Sequence, residues 1–476
     1  MSEQEVRAAP GPRSYNNVLF KRGIQALESQ GLDMDKAVSR GIAVQISGLL
    51  RQSLTKGRKY LPKMMGSGDI KPYSIDRGML GRLVLEAASE VSSVSIRYDM
   101  KLESVDFGSN TATFTNKQGD ESIAVEYDLL IGADGANSVV RSTMEQQIPD
   151  FKVFTVDDDK DYKILYIPKI TDMKGCSDAP EEHWESCFHT LQGGEYDVIG
   201  PPCYDGALRA ACVAPSEGPG SFAEQHTTVE KTQTWLKDTF GVLYGEKGPT
   251  LEQAKAVMDL RPNRLKNVYC SALTGKGNVV LVGDAAHAMT AALGQGVNAA
   301  LEDVSVLTQT VDAAAGASAG AGAGAAPVTG LKLTAQSVPD LVAQYNAARL
   351  PDAHAVCKLS EGAFGGGRTA RTGFILQMLF IVTLSKLKLG RPPALTGIND
   401  PSISYNALLA RKNQESIKAR ACVLTCLTAV LTKIVRAPPA ACVTALLVAS
   451  LWSLVREWQS LGQFGPPRSW LRESST

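Results

Sequence analysis

The sequence lacks a dominant charge: Lys plus Arg and Asp plus Glu both total 49 in 476 residues. No global field then steers the chain toward nucleic acid or an acidic partner. It also lacks a disulfide framework. Its nine cysteines stand singly, an odd number without metal spacing, which suits reduced thiols in an intracellular compartment. The five histidines, His183, His189, His226, His287 and His354, have no acid or cysteine at ligand spacing, so no metal centre is expected. The opening, MSEQEVRAAPGPRSYNNVLFKRG, has no apolar signal core. Missing too is a Gly-x-Gly-x-x-Gly after an N-terminal strand, the turn that would cradle a dinucleotide pyrophosphate.

What is present is enough apolar sequence, 44% against 21% charged, for two domains and a tail. Apolar spacing predicts helices over 16–31, with Gly31 as C-cap, and over about 77–90. Short β-branched segments at 93–98, 104–107, 111–115 and 121–125 predict an antiparallel meander, followed by a buried strand at 127–132. The stretch 151–264 is mixed, with strands near 162–167, 184–191 and 208–213 and one helix over 221–240. A second buried strand follows at 278–282, then a helix over 296–311. Residues Ala313 to Ala326 are only Ala, Gly and Ser and read as a solvated insert. Near the end, Ala421 to Thr432 and Ala437 to Val455 are uncharged, mostly apolar stretches. The second is close to the roughly 20 residues of a bilayer crossing. The two readings are association with an organelle membrane, mitochondrial or other, and a buried helical hairpin.

Two stretches carry chemistry. In Asn278-Val-Val-Leu-Val-Gly283-Asp284-Ala-Ala-His287 a hydrophobic strand delivers an acid at its carboxyl edge, where open α/β sheets hold ligands and where Asp284 can bond a ribityl or ribose hydroxyl. In Gly294-Gln295-Gly296-Val297-Asn298 and on to Glu302-Asp303, glycines allow close approach of a flat ring. The new helix there turns free N–H groups toward a developing anion such as a flavin N1–C2=O. The second signal, Asp134-Gly135-Ala-Asn-Ser138-Val-Val-Arg141, also follows a strand. Ser138 and Arg141 can tie that turn to a phosphate or to Asp134. Each stretch alone is equally a strand-to-helix turn with a capping acid; together and in this order they point to a flavin nucleotide.

These motifs resemble those of class A flavoprotein monooxygenases. Arg13-Ser-Tyr-Asn16 with Lys21-Arg-Gly-Ile-Gln-Ala-Leu27, Gly283 to Asp303, Arg349-Leu-Pro-Asp-Ala-His-Ala355 and Ile381 to Lys386 are similar to the kynurenine 3-monooxygenase family. The resemblance implies a Rossmann-like, glutathione-reductase-type FAD/NAD(P)-binding domain without its first βαβ unit, an inserted α+β substrate domain and an apolar C-terminal helical tail. On that plan 1–150 and 266–311 are the two parts of the FAD-binding domain and 151–265 the substrate domain. The low-complexity insert is 312–332, a helical region 333–415 and the tail 416–476. The implied reaction is hydroxylation of an aromatic, kynurenine-like substrate by FAD, NADPH and O2 through a C4a-hydroperoxyflavin. Arg77 would sit by the flavin, Asp134, Gly135 and Arg141 on the pyrophosphate side, and Gly283 and Asp284 at the ribityl chain. Gly294, Gln295, Gly296, Val297 and Asn298 would face the ring.

Some positions depart from the family. The arginine that would grip a substrate carboxylate falls near Ser47, an asparagine near Ala363 and a tyrosine near Leu379. Ala291 stands where a proline is expected. These departures keep two alternatives open, an epoxidase of a lipophilic substrate and a flavin-deficient pseudoenzyme with a binding role. His287 reads as a turn and packing residue, since this chemistry calls for no base there.

Overall fold

Val279, Val280 and Leu281 carry no polar side-chain atom and have no exposed surface, and the first core is built around them. The computed structural model describes residues 14–53, 57–61, 71–167, 185–193, 196–244, 247–314, 337–361, 381–383, 385–386, 388 and 392–416. This strand, β16 (Val279–Leu281), pairs parallel with β9 (Leu130–Gly132) and antiparallel with β15 (Thr274–Gly275). The core around it takes Val140 and Met144 of helix α4 (Val139–Gln147) and Leu341, Val342 and Tyr345 of α10 (Val338–Ser360). The expected burial of β9 is corrected: Ile131 is 46% exposed, because among the described residues β9 has a neighbour on one edge only.

The meander is present as β6 (Met100–Asp106), β7 (Thr111–Asn116) and β8 (Ser122–Glu126). It begins later than its residue types suggested. Residues 93–98 form no strand, and Asp99, in the left-handed region at φ 58°, turns the chain into β6. The helix expected over 16–31 is likewise corrected. Residues 16–19 are the strand β1 (Asn16–Leu19), which pairs with β5 (Tyr73–Asp76) in a three-stranded sheet completed by β2 (Ala43–Gln45). Only α1 (Lys21–Glu28) is helical, before Gly31 at φ 80°. A short apolar run does not distinguish strand from helix by period, and pairing decides it. Helices α2 (Met34–Ser39) and α3 (Arg77–Ser89) follow, and Asp76 caps α3 through the Gly78 and Met79 N–H groups.

The second core lies on a seven-stranded sheet. Its order is β14 (Asn263–Cys270), β10 (Val153–Ile167), β13 (Leu208–Pro215), β12 (Tyr196–Gly200), β11 (Cys187–Gly193), β3 (Gly48–Ser53) and β4 (Gly57–Leu61). One face is covered by α5 (Phe222–Gln225), α6 (Val229–Phe240) and α7 (Leu251–Asp259), through Phe222, Trp235, Leu236, Phe240, Ala254 and Val257. The single helix expected over 221–240 is two, because Ser221 and Thr228 each cap a new start. Beyond β16 come α8 (Asp284–His287) and α9 (Gly296–Ala314). Among the described residues no helix is long and apolar enough to cross a membrane. The stretches in 421–455, and the Ala-Gly-Ser run beyond the end of α9, lie outside the described residues.

Lys163 is buried in the second core. Its Nζ donates to the carbonyls of Val257 at 3.1 Å and Met258 at 3.4 Å, and lies 2.8 Å from His226 Nδ1. Burial lowers its pKa from 10.5 to about 8. Between those values the folded chain sheds a proton that the unfolded chain keeps, so stability rises with pH there. At neutral pH the charged lysine costs the fold on the order of 3 kcal/mol relative to pH above 10. Lys163→Met is therefore expected to stabilise the protein most near pH 7, with the advantage shrinking as pH rises from 8 toward 10.5. Urea unfolding at several pH values checks this, and a pH-independent difference would refute it.

Candidate functional site

The chain turns sharply at the end of β16. Gly283 has φ 60° and ψ −142°, and a Cβ there would come within 3.1 Å of Ala300 Cβ, so the turn requires glycine. Its N–H donates to Asp303 Oδ2 at 2.7 Å, and the turn presents Asp284 exposed at the carboxyl end of the strand. The second predicted turn lies against the first. Arg141, buried, donates to Ala285 O at 2.7 Å and to Ala136 O at 2.6 Å, which ties the two loops together. Asp134 accepts from the Val139 and Val140 N–H groups at 2.7 and 3.2 Å, with Gly135 at φ 81° beside it. The bonds of Asp134 and Arg141 thus shape the two loops.

The glycine segment that follows has an open side and a closed side. Gly294, at φ 62°, is backed by Phe20, whose ring would lie 3.3 Å from a Cβ. Gln295 is buried, accepting from Tyr405 Oη at 2.8 Å and donating to Asn399 Oδ1 at 2.9 Å. Asn298 donates to Val18 O and Gly294 O and accepts from the Phe20 N–H, so its amide is used within the scaffold. Val297 packs on the β1–β5–β2 core. Gly296, in contrast, opens a 19-residue helix with no heavy atom within 4 Å of where its Cβ would stand. That clear space, beside N–H groups with no intrahelical partner, fits a flat anionic ring edge.

Arg77 starts α3, exposed, with its guanidinium carbon 5.7 Å from the centre of the Tyr15 ring. Across from it Tyr162 of β10 is half-buried. Burial raises its hydroxyl pKa, Tyr15 and Asp284 add to the rise, and Arg77 opposes it. Arg77, Tyr15 and Asp284 are thus near enough for their charges to act on the Tyr162 hydroxyl.

Beneath the turn runs a buried ionic chain not foreseen as such in the sequence. Asp303, with no exposed surface, accepts from Arg349 Nε at 2.5 Å as well as from Gly283, and its Oδ2 lies 2.6 Å from His287 Nε2. Glu302 bridges Arg349 Nη1 at 2.8 Å and Arg22 Nη1 at 2.5 Å. Arg22 also donates to the carbonyls of Ile398, Asp400 and Ile403. Burial alone would raise the Asp303 carboxyl, but His287, Arg349 and the Gly283 N–H hold it at about 2. His287 is 2% exposed and serves this chain, in line with a turn and packing role. Its signal in the sequence was the buried position of Arg22 in an apolar helix period and the Arg349 segment. Asp303→Ala would leave the Arg349 Nε and the Gly283 N–H buried without their acceptor, an expected loss of roughly 3–5 kcal/mol. Urea denaturation measures it, and a loss below about 1 kcal/mol would show that the chain carries no net weight.

Ala291 keeps a proline-compatible geometry. Thr290 before it is extended, at φ −64° and ψ 141°, and is pinned by Asn267 Oδ1 at 2.8 Å and Ser360 O at 3.0 Å. Ala291 itself is exposed and opens a 3-10 turn, where an N–H has no intrahelical acceptor. Ala291→Pro is therefore expected to stabilise by about 0.4–1 kcal/mol, read from the urea midpoint; a destabilised protein would mean the turn has moved from this geometry. Ser47, where a carboxylate-gripping arginine was expected, lies 2.8 Å from Ser186 Oγ and 3.7 Å from Cys187 Sγ. Ala363 and Leu379 lie outside the described residues.

The profile of the FAD binding domain family matches residues 12–163 and 253–322. Kynurenine 3-monooxygenase of Stenotrophomonas maltophilia is 28% identical over 304 residues, 62% of this chain and 62% of that protein. The Flavobacterium psychrophilum enzyme of the same name is 28% identical over 77% of this chain and 74% of its own length. The first match thus spans less than two thirds of the curated relative. Among solved structures, tetrameric 2-methyl-3-hydroxypyridine-5-carboxylic acid oxygenase aligns with TM-score 0.54 at 21% identity, over 85% of this chain and 88% of that one. P. aeruginosa PqsL, in complex with 2-aminobenzoylacetate, aligns with TM-score 0.53 at 19% identity, over 76% and 86%. The chain shares its fold with these oxygenases, and both turns lie within the two stretches that match the FAD binding domain family. In sequence it is similar to the kynurenine 3-monooxygenases.

Proposed function

We propose that this chain binds FAD and, with NADPH and O2, hydroxylates the ring of a small aromatic acceptor. The observation that carries the reading is the exposed Asp284 carboxylate at the end of β16, followed by the open helix N-terminus at Gly296. Asp284 would take the ribityl hydroxyls, the N–H groups of Gly296 to Asn298 the N1–C2=O edge, and Arg77 would lie beside the flavin. Asp134, Gly135 and Arg141 keep the pyrophosphate-side loop against the Asp284 turn, and Gly283, Gly294, Gln295 and Asn298 hold the backbone in shape. FAD supplies the electron transfer from NADPH to oxygen and the delivery of one oxygen atom; the protein supplies position, dryness and charge. Dryness comes from Val18, Phe20, Ile46 and Phe188, which pack beside the Gly294 turn. The apolar stretches within 421–455 would add attachment to an organelle membrane, for which carbonate extraction of the full chain is the check.

Asp284→Ala is expected to weaken FAD retention roughly ten- to a hundredfold, the equivalent of one charge-assisted hydrogen bond of about 1.5–3 kcal/mol, with the thermal transition of the apoprotein unchanged. Fluorescence titration with FAD measures it. Unchanged affinity would reduce Asp284 to a helix cap, and a wild-type chain that stays colourless with added FAD would favour the pseudoenzyme. L-kynurenine is expected not to accelerate NADPH oxidation, because Ser47 brings no cation to its carboxylate; production of 3-hydroxykynurenine would overturn this.

A further inference from the structure

Helix α2 ends in a Schellman turn: Gly41, at φ 68°, donates its N–H to Val38 O at 2.8 Å, and Ile42 donates to Ala37 O at 3.1 Å. Arg40, which closes α2, is thereby set against the middle of α3, and Ile42 returns onto the β1–β5–β2 core. On α3, Met79, Arg82, Leu83 and Glu86 recur at intervals of three and four residues and share one face. Met79 and Leu83 pack on the same core as Ile42. These side chains, with Arg40, line a cavity of 130 Å³. Its floor is apolar and its mouth charged, because the arginines and Glu86 are 40 to 50% exposed while the core holds the other three. The volume is close to the roughly 150 Å³ that holds a benzene ring in an apolar protein cavity.

The mouth has a surplus of one positive charge. Glu86 accepts from Arg82 Nε at 2.8 Å and from Arg40 Nη2 at 3.2 Å, which occupies one nitrogen of each guanidinium. The other nitrogens of both have no partner among the described residues. Arg82 foremost, with Arg40, holds the Glu86 carboxyl below its ordinary value, so the field at the mouth favours an anion. Half-exposed ion pairs of this kind contribute little to stability, and a second carboxylate can share the arginines with Glu86 through the free prongs of their forks. A ring laid on Ile42, Met79 and Leu83 removes their apolar surface from water. A neutral ring would gain only the floor, and a bare anion only the mouth. We propose that this cavity is a ligand site for a single flat ring bearing one anionic group, an aryl carboxylate, with the ring on the apolar floor and the carboxylate between Arg40 and Arg82. The site uses none of the residues assigned to the flavin and stands or falls independently of that reading.

The test is fluorine NMR titration of the full chain at near-neutral pH with 4-fluorobenzoate, an anion, and with 4-fluorobenzamide, a neutral compound of similar shape. The wild-type chain should bind the benzoate roughly tenfold tighter or more. Arg40→Gln combined with Arg82→Gln removes both cations from the mouth and should bring the two compounds within about twofold of each other. Glu86→Gln removes the carboxylate that shares the arginines; it should tighten the benzoate by about fivefold and leave the benzamide within about twofold. Acetate at the same concentration, an anion without a ring, should leave the benzoate bound. If the double variant does not fold, Glu86→Gln carries the test alone. Equal wild-type affinities, a preference that survives the double variant, no gain in Glu86→Gln, or displacement of the benzoate by equimolar acetate would each overturn the proposal.

Discussion

The site depends on an ionic chain that no ligand would touch. Asp303 holds the Gly283 N–H at the turn that leaves Asp284 exposed. The same carboxylate is bound by Arg349, which shares Glu302 with Arg22, and Arg22 holds three carbonyls of the 398–403 segment. Five segments meet on two arginines and two acids, of which Glu302 alone keeps appreciable exposure, at 17%. Such groups are costly to bury and costlier to leave half-paired, so the arrangement favours one register of helix against turn.

A similar constraint acts from the C-terminal side. Tyr405 and Asn399 hold the Gln295 amide, and Arg22 lies 4.2 Å from the centre of the Tyr405 ring. The glycine turn before α9 is thus braced from behind by side chains more than a hundred residues further on. The polar residues of Gly294 to Asn298 serve to fix backbone, and the backbone is what faces outward.

Much of this was legible in the sequence and some was not, for identifiable reasons. A run of four apolar residues before Gly-Asp specifies a buried strand with an acid at its end, and Val279 to Asp284 is that. The side-chain partners of Gln295 and Asn298 could not be read, because Tyr405, Asn399 and Val18 come near them only in three dimensions. Asn16 to Leu19 looked helical because four residues carry too little period, and their partner, Tyr73 to Asp76, is remote. Pairing of Gly48 to Ser53 with a strand near 190 had no local signal at all.

That pairing of β3 with β11 bears on how the chain reaches its fold. The parallel register from Cys187–Gly48 to Gln192–Ser53 closes a loop of well over a hundred residues, and β3 leaves the ribosome long before the strand it joins. Until β11 emerges, β3 and β4 form a hairpin without a sheet, a marginal structure in water. Closure of that loop is slow on topological grounds. The three-stranded and seven-stranded sheets are consequently not separable beads on a string: the chain between β2 and β5 leaves the smaller sheet to supply β3 and β4 to the larger one and then returns.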